Sequence, residues 1–327
     1  MAVIVLTNEQ IRELVPAAAY VDAIETAYRE YAQGRAVIQP RVDLYTESPA
    51  AQRYSVFKSM IGSLAKDHLV ALRINSDVIS WTDRMGNMRK EKIPAADGGR
   101  WVGLVFVFDT LSGELRAIFP DGEIQRRRVA ATTAVAIRHL ARRDARVVSV
   151  FGSGSQGEGA VRVIGSSMPG CELRLWSPNP DHRARLAAQC RSDGINVRAM
   201  DAADATARGA DAIVLATNAL DPVIEWDWIS PGTLVACVKA QELGQEILSR
   251  ADRIVLHTRD VEPTNYVAGE RGGPFKDTDF TDRLFGAPRG RGDASAFLRG
   301  LPPDLPELFD VVSSGAGARV GPDERVV

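Results

Sequence analysis

Cysteine is scarce: Cys171, Cys190 and Cys237 stand far apart and form no CxxC. That excludes a disulfide scaffold or a paired redox motif and leaves free thiols as the expected state. The four histidines (His68, His139, His182 and His257) show no metal-ligand spacing, so no metal site is expected. The opening MAVIVLTNEQ has an apolar run without a basic start or cleavage site, and is read as a first strand. No run approaches the length of a membrane span. Charge of one sign is also missing. Forty basic against 42 acidic residues give a net charge of −2, with no electrostatic case for nucleic acid or an anionic membrane. Arg126-Arg127-Arg128 is too short a cluster to change that. What remains is a soluble composition, 45% hydrophobic and 25% charged, expected in the cytoplasm. At 327 residues the chain is long enough for two domains with real cores.

Thr7-Asn-Glu-Gln10 has the form of a capping box and opens a helix. Pro16 suits the first turn of a second helix, on which Val21, Ile24, Tyr28 and Tyr31 share a face, and Gly34 is its stop. Short apolar runs at Tyr54–Phe57, Leu69–Ile74, Trp101–Phe108 and Leu115–Phe119 read as strands of one sheet. Between the second and third lies a basic excursion from Thr82 to Arg100, read as a long loop or hairpin. A helix is expected over Ile124–Arg142. Strands at Val147–Phe151, Leu173–Trp176, Val197–Met200, Ala212–Ala216, Thr233–Val238 and Arg253–His257 then alternate with helices at Gln156–Ser167 and Asp181–Ser192. Such alternation implies an α/β unit, a parallel sheet covered on both faces.

Gly152-Ser-Gly154-Ser155-Gln156-Gly157 follows the strand VVSVF and opens an amphipathic helix. A GxGxxG in that context is the phosphate-binding turn of a Rossmann-type, doubly wound domain. The first glycine permits the turn, the second lets the backbone approach a pyrophosphate, and the third packs helix on strand. The helix N-terminus stabilises the anion. The cofactor is expected to be NADP(H) or NAD(H). At the tip of the second strand a carboxylate would select NAD through the ribose hydroxyls. This chain has Trp176-Ser177-Pro178-Asn179 instead, and Ser177, Asn179 and Arg183 can meet a 2′-phosphate. NADPH is therefore expected to bind at least as well as NADH. Thr217 and Asn218, at the carboxyl end of a later strand, suit the ribose or nicotinamide, or serve as turn residues.

The Rossmann unit starts in mid-chain, preceded by Ile124-Gln-Arg-Arg-Arg128-Val-Ala-Ala131. With Phe108-Asp-Thr-Leu-Ser-Gly-Glu114, Gly209-Ala-Asp211, Ala216-Thr-Asn218 and Pro231-Gly-Thr233, this order resembles the ornithine cyclodeaminase/μ-crystallin family, from about residue 5 to residue 325. The resemblance implies a mixed α+β substrate-binding and dimerisation domain over residues 1–122, completed by part of 300–327. It implies a Rossmann domain over 123–299 and a homodimer. It makes Arg128 and Arg41 the clamps for the carboxylate of an imino or amino acid, a role suited to a guanidinium fork. Where the family carries a catalytic lysine this chain has Arg73, which does not give up a proton. Where cyclodeaminases carry Gly-Ala-Asp it has Val238-Lys239-Ala240-Gln241. Lys58 and Lys239 are the candidate proton donors, with Gln241 as a hydrogen-bonding group. The cations suggest a pocket for an acidic substrate rather than a diamine. The chain also stops earlier than the resemblance leads one to expect, which points either to a shortened C-terminus or to a different ordering of that domain. The implied function is an NAD(P)H-dependent imine (ketimine) reductase or amino-acid dehydrogenase. The alternatives are a cyclodeaminase that recycles its NAD, and a non-catalytic protein binding NADPH and small acids.

Overall fold

Thr7 caps the first helix as its spacing predicts: its backbone N–H donates to Gln10 Oε1 (2.9 Å) and its hydroxyl accepts from Gln10 N (3.3 Å). The computed structural model describes residues 2–48, 53–84, 87–93, 102–219, 221–259, 264–268, 275–276 and 300–327. They fall into two units. The first comprises Met1–Val15, Ala27–Gln125 and Thr258–Ala287; the second comprises Pro16–Thr26, Arg126–His257 and Pro288–Val327.

The first unit holds β1 (Ile4–Val5), α1 (Asn8–Leu14), β2 (Ala36–Glu47), β3 (Arg53–Leu64), β4 (Leu69–Arg84), β5 (Asn87–Ile93), β6 (Val102–Asp109) and β7 (Leu115–Pro120). Helix α2 (Ala17–Ala32) divides between the units and ends at Gly34, whose φ of +69° suits glycine. The basic excursion begins as a hairpin, since β4 runs on to Arg84 and pairs antiparallel with β5; Gly86, Pro94 and Gly98-Gly99 lie outside the described residues. The sheet runs β1-β7-β6-β4-β3-β2 and continues into β13 (Thr264–Val267) and β14 (Phe275–Lys276), with β5 on β4. Thus Thr264–Val267, numbered within the expected Rossmann segment, pairs parallel with β2.

Register decides which side chains share a face here, because residues two apart on a strand point the same way. Asp43 stands opposite Lys58, Lys58 opposite Asn75, and Asn75 opposite Gly103. That face carries the charges. The other carries exposed Leu44, Phe57, Ile61, Val78 and Tyr266.

The second unit is the doubly wound one. Helix α3 (Asp121–Leu140), whose residues up to Gln125 fall in the first unit, leads into β8 (Val147–Phe151), α4 (Ser155–Ser167), β9 (Glu172–Trp176), α5 (Pro180–Ser192), β10 (Val197–Ala199), α6 (Ala203–Ala207), β11 (Ala212–Leu215), β12 (Leu234–Cys237) and α7 (Gly244–Arg250). The five strands are all parallel in the order β10-β9-β8-β11-β12, so the order reverses between β8 and β11. Val148, Val150, Phe151, Leu173, Leu175, Ile213 and Leu215 are fully buried, as strands covered on both faces require.

The strand expected at Arg253–His257 is replaced by isolated bridges, Arg253 with Val326 and Leu256 with Glu307. The end of the chain takes the place beside β12: Val326 bridges Leu234, and Val235 N donates to Val326 O (2.7 Å). Residues 300–327, including α8 (Leu308–Ser314), belong to this second unit. No helix among the described residues is long and apolar enough to cross a membrane.

Candidate functional site

The glycine turn lies at the reversal of strand order, where ligands bind in open α/β sheets. Gly152 has φ +116°, and a Cβ there would sit 2.4 Å from Ala216 O. A Cβ on Gly157 would sit 1.9 Å from Gly152 O, and one on Gly159 would sit 2.7 Å from Arg126 Cγ. Packing of the turn and of α4 on α3 therefore requires these three. Gly154 differs: it is exposed, and a Cβ there would meet nothing within 4 Å. The protein does not need that glycine for itself. Its bareness leaves open the approach to the first-turn amides of α4, where Glu158 N→Gly154 O is the first intrahelical bond. The residues fit a dinucleotide pyrophosphate.

Beside the turn, Ser153 and Ser177 hydroxyls lie 2.8 Å apart, and Ser177 Oγ donates to Asn179 O (3.2 Å). Asn179 Oδ1 caps α5 by accepting from His182 N. Arg183 donates to Ser177 O (2.9 Å) and to Asp201 Oδ1 (3.0 Å). Of the three residues expected at a 2′-phosphate, Ser177 and Asn179 shape the loop and Arg183 is anchored beneath it. Asp201 is fully exposed, so its hold on Arg183 is weak.

At the ends of β11 and β12 the structure gathers Thr217, Lys239 and Gln241 around a residue that the sequence reading passed over. Glu242 is fully buried, and its Oε1 accepts from both Thr217 N and Thr217 Oγ1 at 2.6 Å. Its Oε2 accepts from Lys239 N (3.1 Å). Burial pushes the Glu242 carboxyl above the ordinary range, against the lowering effect of these donors. Asn218, one residue on, is exposed at the sheet edge. Glu242 therefore ties the loop after β11 to the loop after β12.

In the first unit, Arg41, Lys58 and Arg73 share the charged face, each beside a buried acid. Arg41 Nε donates to Asp43 (2.8 Å). Arg73 forms a bidentate pair with Asp121 at 2.8 and 2.7 Å and points Nη1 at Met60 Sδ. Gly103 makes room for that pair, since a Cβ there would fall 2.8 Å from Asp121 Cβ. Lys58 and Lys92 both reach Asp77 Oδ2, at 2.7 and 2.8 Å. The Asn75 amide also faces this carboxylate, and with its oxygen and nitrogen assigned the other way round it donates to Asp77 Oδ1 at 3.0 Å. Burial works against the Asp77 charge, but the two ammonium groups outweigh it and hold the carboxyl below its usual range. The cations expected from the sequence are present, but buried acids offset most of their charge.

Arg128 is half-buried on α3, and its charge reaches the ring of His257. Its neighbours on the helix are committed elsewhere: Arg126 pairs with Glu158 (2.9 Å), and Arg127 lies over the Tyr20 ring (5.6 Å). Asp43, Asp77, Lys92, Asp121 and Glu242 were missed in the sequence. The available signal was the alternation Arg41-Val-Asp43-Leu-Tyr45 and Arg73-Ile-Asn75-Ser-Asp77, which sets polar residues on one face. Among the described residues, no group of three or more His, Cys, Asp or Glu is placed to hold a metal.

The profile of the ornithine cyclodeaminase/mu-crystallin family matches residues 1–270. The chain is 26% identical over 152 residues to the ketimine reductase mu-crystallin of Rattus norvegicus, covering 45% of this chain and 48% of that one. It thus spans about half the length of the mu-crystallins it matches. A solved structure of the Thermococcus litoralis Δ1-pyrroline-2-carboxylate reductase, with NADH and L-proline, superposes with a TM-score of 0.71 at 18% identity. It covers 99% of this chain and 90% of that one. An archaeal alanine dehydrogenase dimer with bound NAD gives 0.72 at 19% identity, covering 100% and 89%. At these identities the likeness shows the fold.

Proposed function

This chain belongs to the ornithine cyclodeaminase/mu-crystallin family, and we propose that within it the protein is an NAD(P)H-dependent oxidoreductase acting on the carbon–nitrogen bond of an imino or amino acid. The observation that carries this reading is Gly154, a glycine that packing does not require at the mouth of a turn where packing requires its neighbours. A bare backbone at that point suits a bound pyrophosphate. The bound nicotinamide supplies hydride exchange with the substrate α-carbon. Gly152, Gly154, Ser155, Gln156 and Gly157 hold the pyrophosphate, and Thr217 and Asn218 line the ribose and nicotinamide. The activities of the relatives support the reaction class, a ketimine reductase and a reductase holding NADH with L-proline among them.

On the substrate, Arg128 takes the carboxylate. Arg41 bonds Asp43 through Nε, which leaves its terminal nitrogens as a candidate donor pair for a carboxylate. Arg73 has its fork on Asp121, so it acts through its charge rather than as a clamp. Lys239 and Gln241 flank the Thr217 loop and offer hydrogen bonds to the substrate nitrogen.

The tip of β9 carries no carboxylate, and Arg183 stands anchored behind it, which favours NADP(H) over NAD(H). Titrating both cofactors checks this: Arg183→Ala should weaken NADPH more than NADH. A strong NADH preference in the parent protein would refute it. The exposed face of Leu44, Phe57, Ile61, Val78 and Tyr266 is the surface for a homodimer. Phe57→Asp should yield monomers by sedimentation, and an unchanged mass would reject that face.

The activity is tested by following nicotinamide absorbance with cyclic ketimines and with keto acids plus amines. Steady consumption of NAD(P)H is the expected result.

A further inference from the structure

The loop that follows β11 is wedged between the glycine turn and a buried acid. On one side Ala216 N donates to Phe151 O (2.9 Å), and a Cβ on Gly152 would sit 2.4 Å from Ala216 O and 3.4 Å from Thr217 N. On the other side Glu242 Oε1 accepts from Thr217 N and from Thr217 Oγ1, both at 2.6 Å. Two further segments fix the seat of that acid. Glu242 Oε2 accepts from Lys239 N (3.1 Å), Glu242 N donates to Lys239 O (3.1 Å), and Glu242 O accepts from Val223 N (3.0 Å). Gly244 closes the same corner at φ +74°, where a Cβ would fall 2.8 Å from Pro222 Cγ.

The proton of the Thr217 hydroxyl separates the roles in this loop. A hydroxyl has one proton to give. Thr217 gives it to Glu242, and its oxygen also accepts from Ala219 N (3.1 Å). Thr217 Oγ1 therefore has no proton left for a ligand, and its bonds hold the loop in place. Asn218, next along, is exposed, and its amide brings both donors and an acceptor. Glu242 itself is fully buried, a costly place for an acid unless its oxygens are all bonded. Here they are, and a satisfied buried network of this kind holds its members in one arrangement.

Resting on the oxidoreductase reading, we propose that Glu242 is a positioning residue for the nicotinamide half of the cofactor. It holds the Thr217 peptide against Gly152, so that the glycine turn and the loop after β11 form one rim. Asn218, not the Thr217 hydroxyl, is the side chain of that loop that meets the ligand. Glu242 touches neither cofactor nor substrate. Ser153, Ser177 and Asn179, at the β9 side of the turn, serve the adenine half and do not depend on it, because β9 and β11 flank β8 on opposite sides.

Two ligands separate this role from a merely structural one: NADPH, and 2′,5′-ADP, which keeps the adenine half and lacks the nicotinamide nucleotide. Glu242→Ala and Thr217→Val should each weaken NADPH by about tenfold, the worth of one hydrogen bond, with 2′,5′-ADP affinity unchanged by calorimetry. Thr217→Ser keeps the hydroxyl and should bind NADPH as the parent does. In the double variant Thr217→Val should cost nothing beyond Glu242→Ala, because the hydroxyl acts through the acid. Asn218→Ala should weaken NADPH with an unaltered thermal melt. If Glu242→Ala fails to fold, Glu242→Asp, whose carboxylate falls one methylene short of Thr217, replaces it in the same cycle. Parent-like NADPH affinity in the folded Glu242 variant or in Asn218→Ala, an equal loss of 2′,5′-ADP, or additive losses in the double variant overturns the proposal while the oxidoreductase reading stands. A parent protein that binds neither NADPH nor NADH overturns that reading itself.

Discussion

Removing the Glu242 carboxylate should loosen both loops at the sheet edge and cost stability that can be worked out from its bonds. In Glu242→Ala, Thr217 N and Lys239 N lose their acceptor inside a fully buried site. Each stranded amide costs about 1–3 kcal/mol, so the variant should lose roughly 2–6 kcal/mol. That is a large share of a total of about 5–15 kcal/mol. Glu242→Gln is milder. Its carbonyl can still accept both Thr217 donors, but its NH2 then faces Lys239 N, one mismatch worth about 1–3 kcal/mol.

The pH dependence adds a sign. Burial raises the Glu242 pKa above its ordinary 4.5, with the Thr217 bonds opposing. A raised carboxyl stabilises the folded state when protonated. That contribution is fully present below 4.5 and is lost as pH climbs through the folded-state value. Glutamine does not titrate, so the stability gap between parent and Glu242→Gln should widen toward acid and narrow above it. Urea unfolding at several pH values measures the gap, and hydrogen exchange at Thr217 and Lys239 reports the loops directly. A Glu242→Ala variant as stable as the parent, with both amides still protected, would refute the reasoning.

The glycine turn gives a paired prediction. Gly157→Ala should unfold or badly destabilise the second unit, because its Cβ would meet Gly152 O at 1.9 Å, whereas Gly154→Ala should melt normally and lose cofactor affinity. Thermal melts with fluorescence titration of NADPH separate the two effects. Arg128→Ala should lower kcat/KM for a carboxylated substrate by about 10²-fold or more, the value of a lost charged hydrogen bond, while cofactor affinity holds. Steady-state kinetics beside a cofactor titration checks that split.

The second unit was legible because its signals are local and repeat. Apolar runs bounded by glycines gave five strands within a residue or two of their observed ends, and the turn at Gly152 was fixed by sequence context. Arg253–His257 misled for the same reason, since an apolar run reads as a strand whether or not a neighbour is free to pair. Here Val326, more than seventy residues on, holds that place, and nothing local announces it. The first unit was harder. Its inward face mixes charges with apolar residues, Asp43 and Asp77 buried beside Tyr45, Val56 and Ile79, while Leu44 and Val78 on the other face are exposed. A reading that assumes apolar means inside assigns Lys58 and Arg73 as isolated cations and overlooks the acids that offset them. Glu242 escaped notice because a single glutamate beside Gln241 looks like an ordinary polar turn. Only the fold brings Thr217 to it across 25 positions of sequence.

The central claim is that this protein moves hydride at a carbon–nitrogen bond, and the balance of the cofactor tests it most directly. With NADPH in excess, a panel of cyclic ketimines and of keto acids with amines should consume cofactor in equal amount to the amine formed. Ammonia released from ornithine with no net change in nicotinamide absorbance, or tight NADPH binding without turnover of any member, would contradict it.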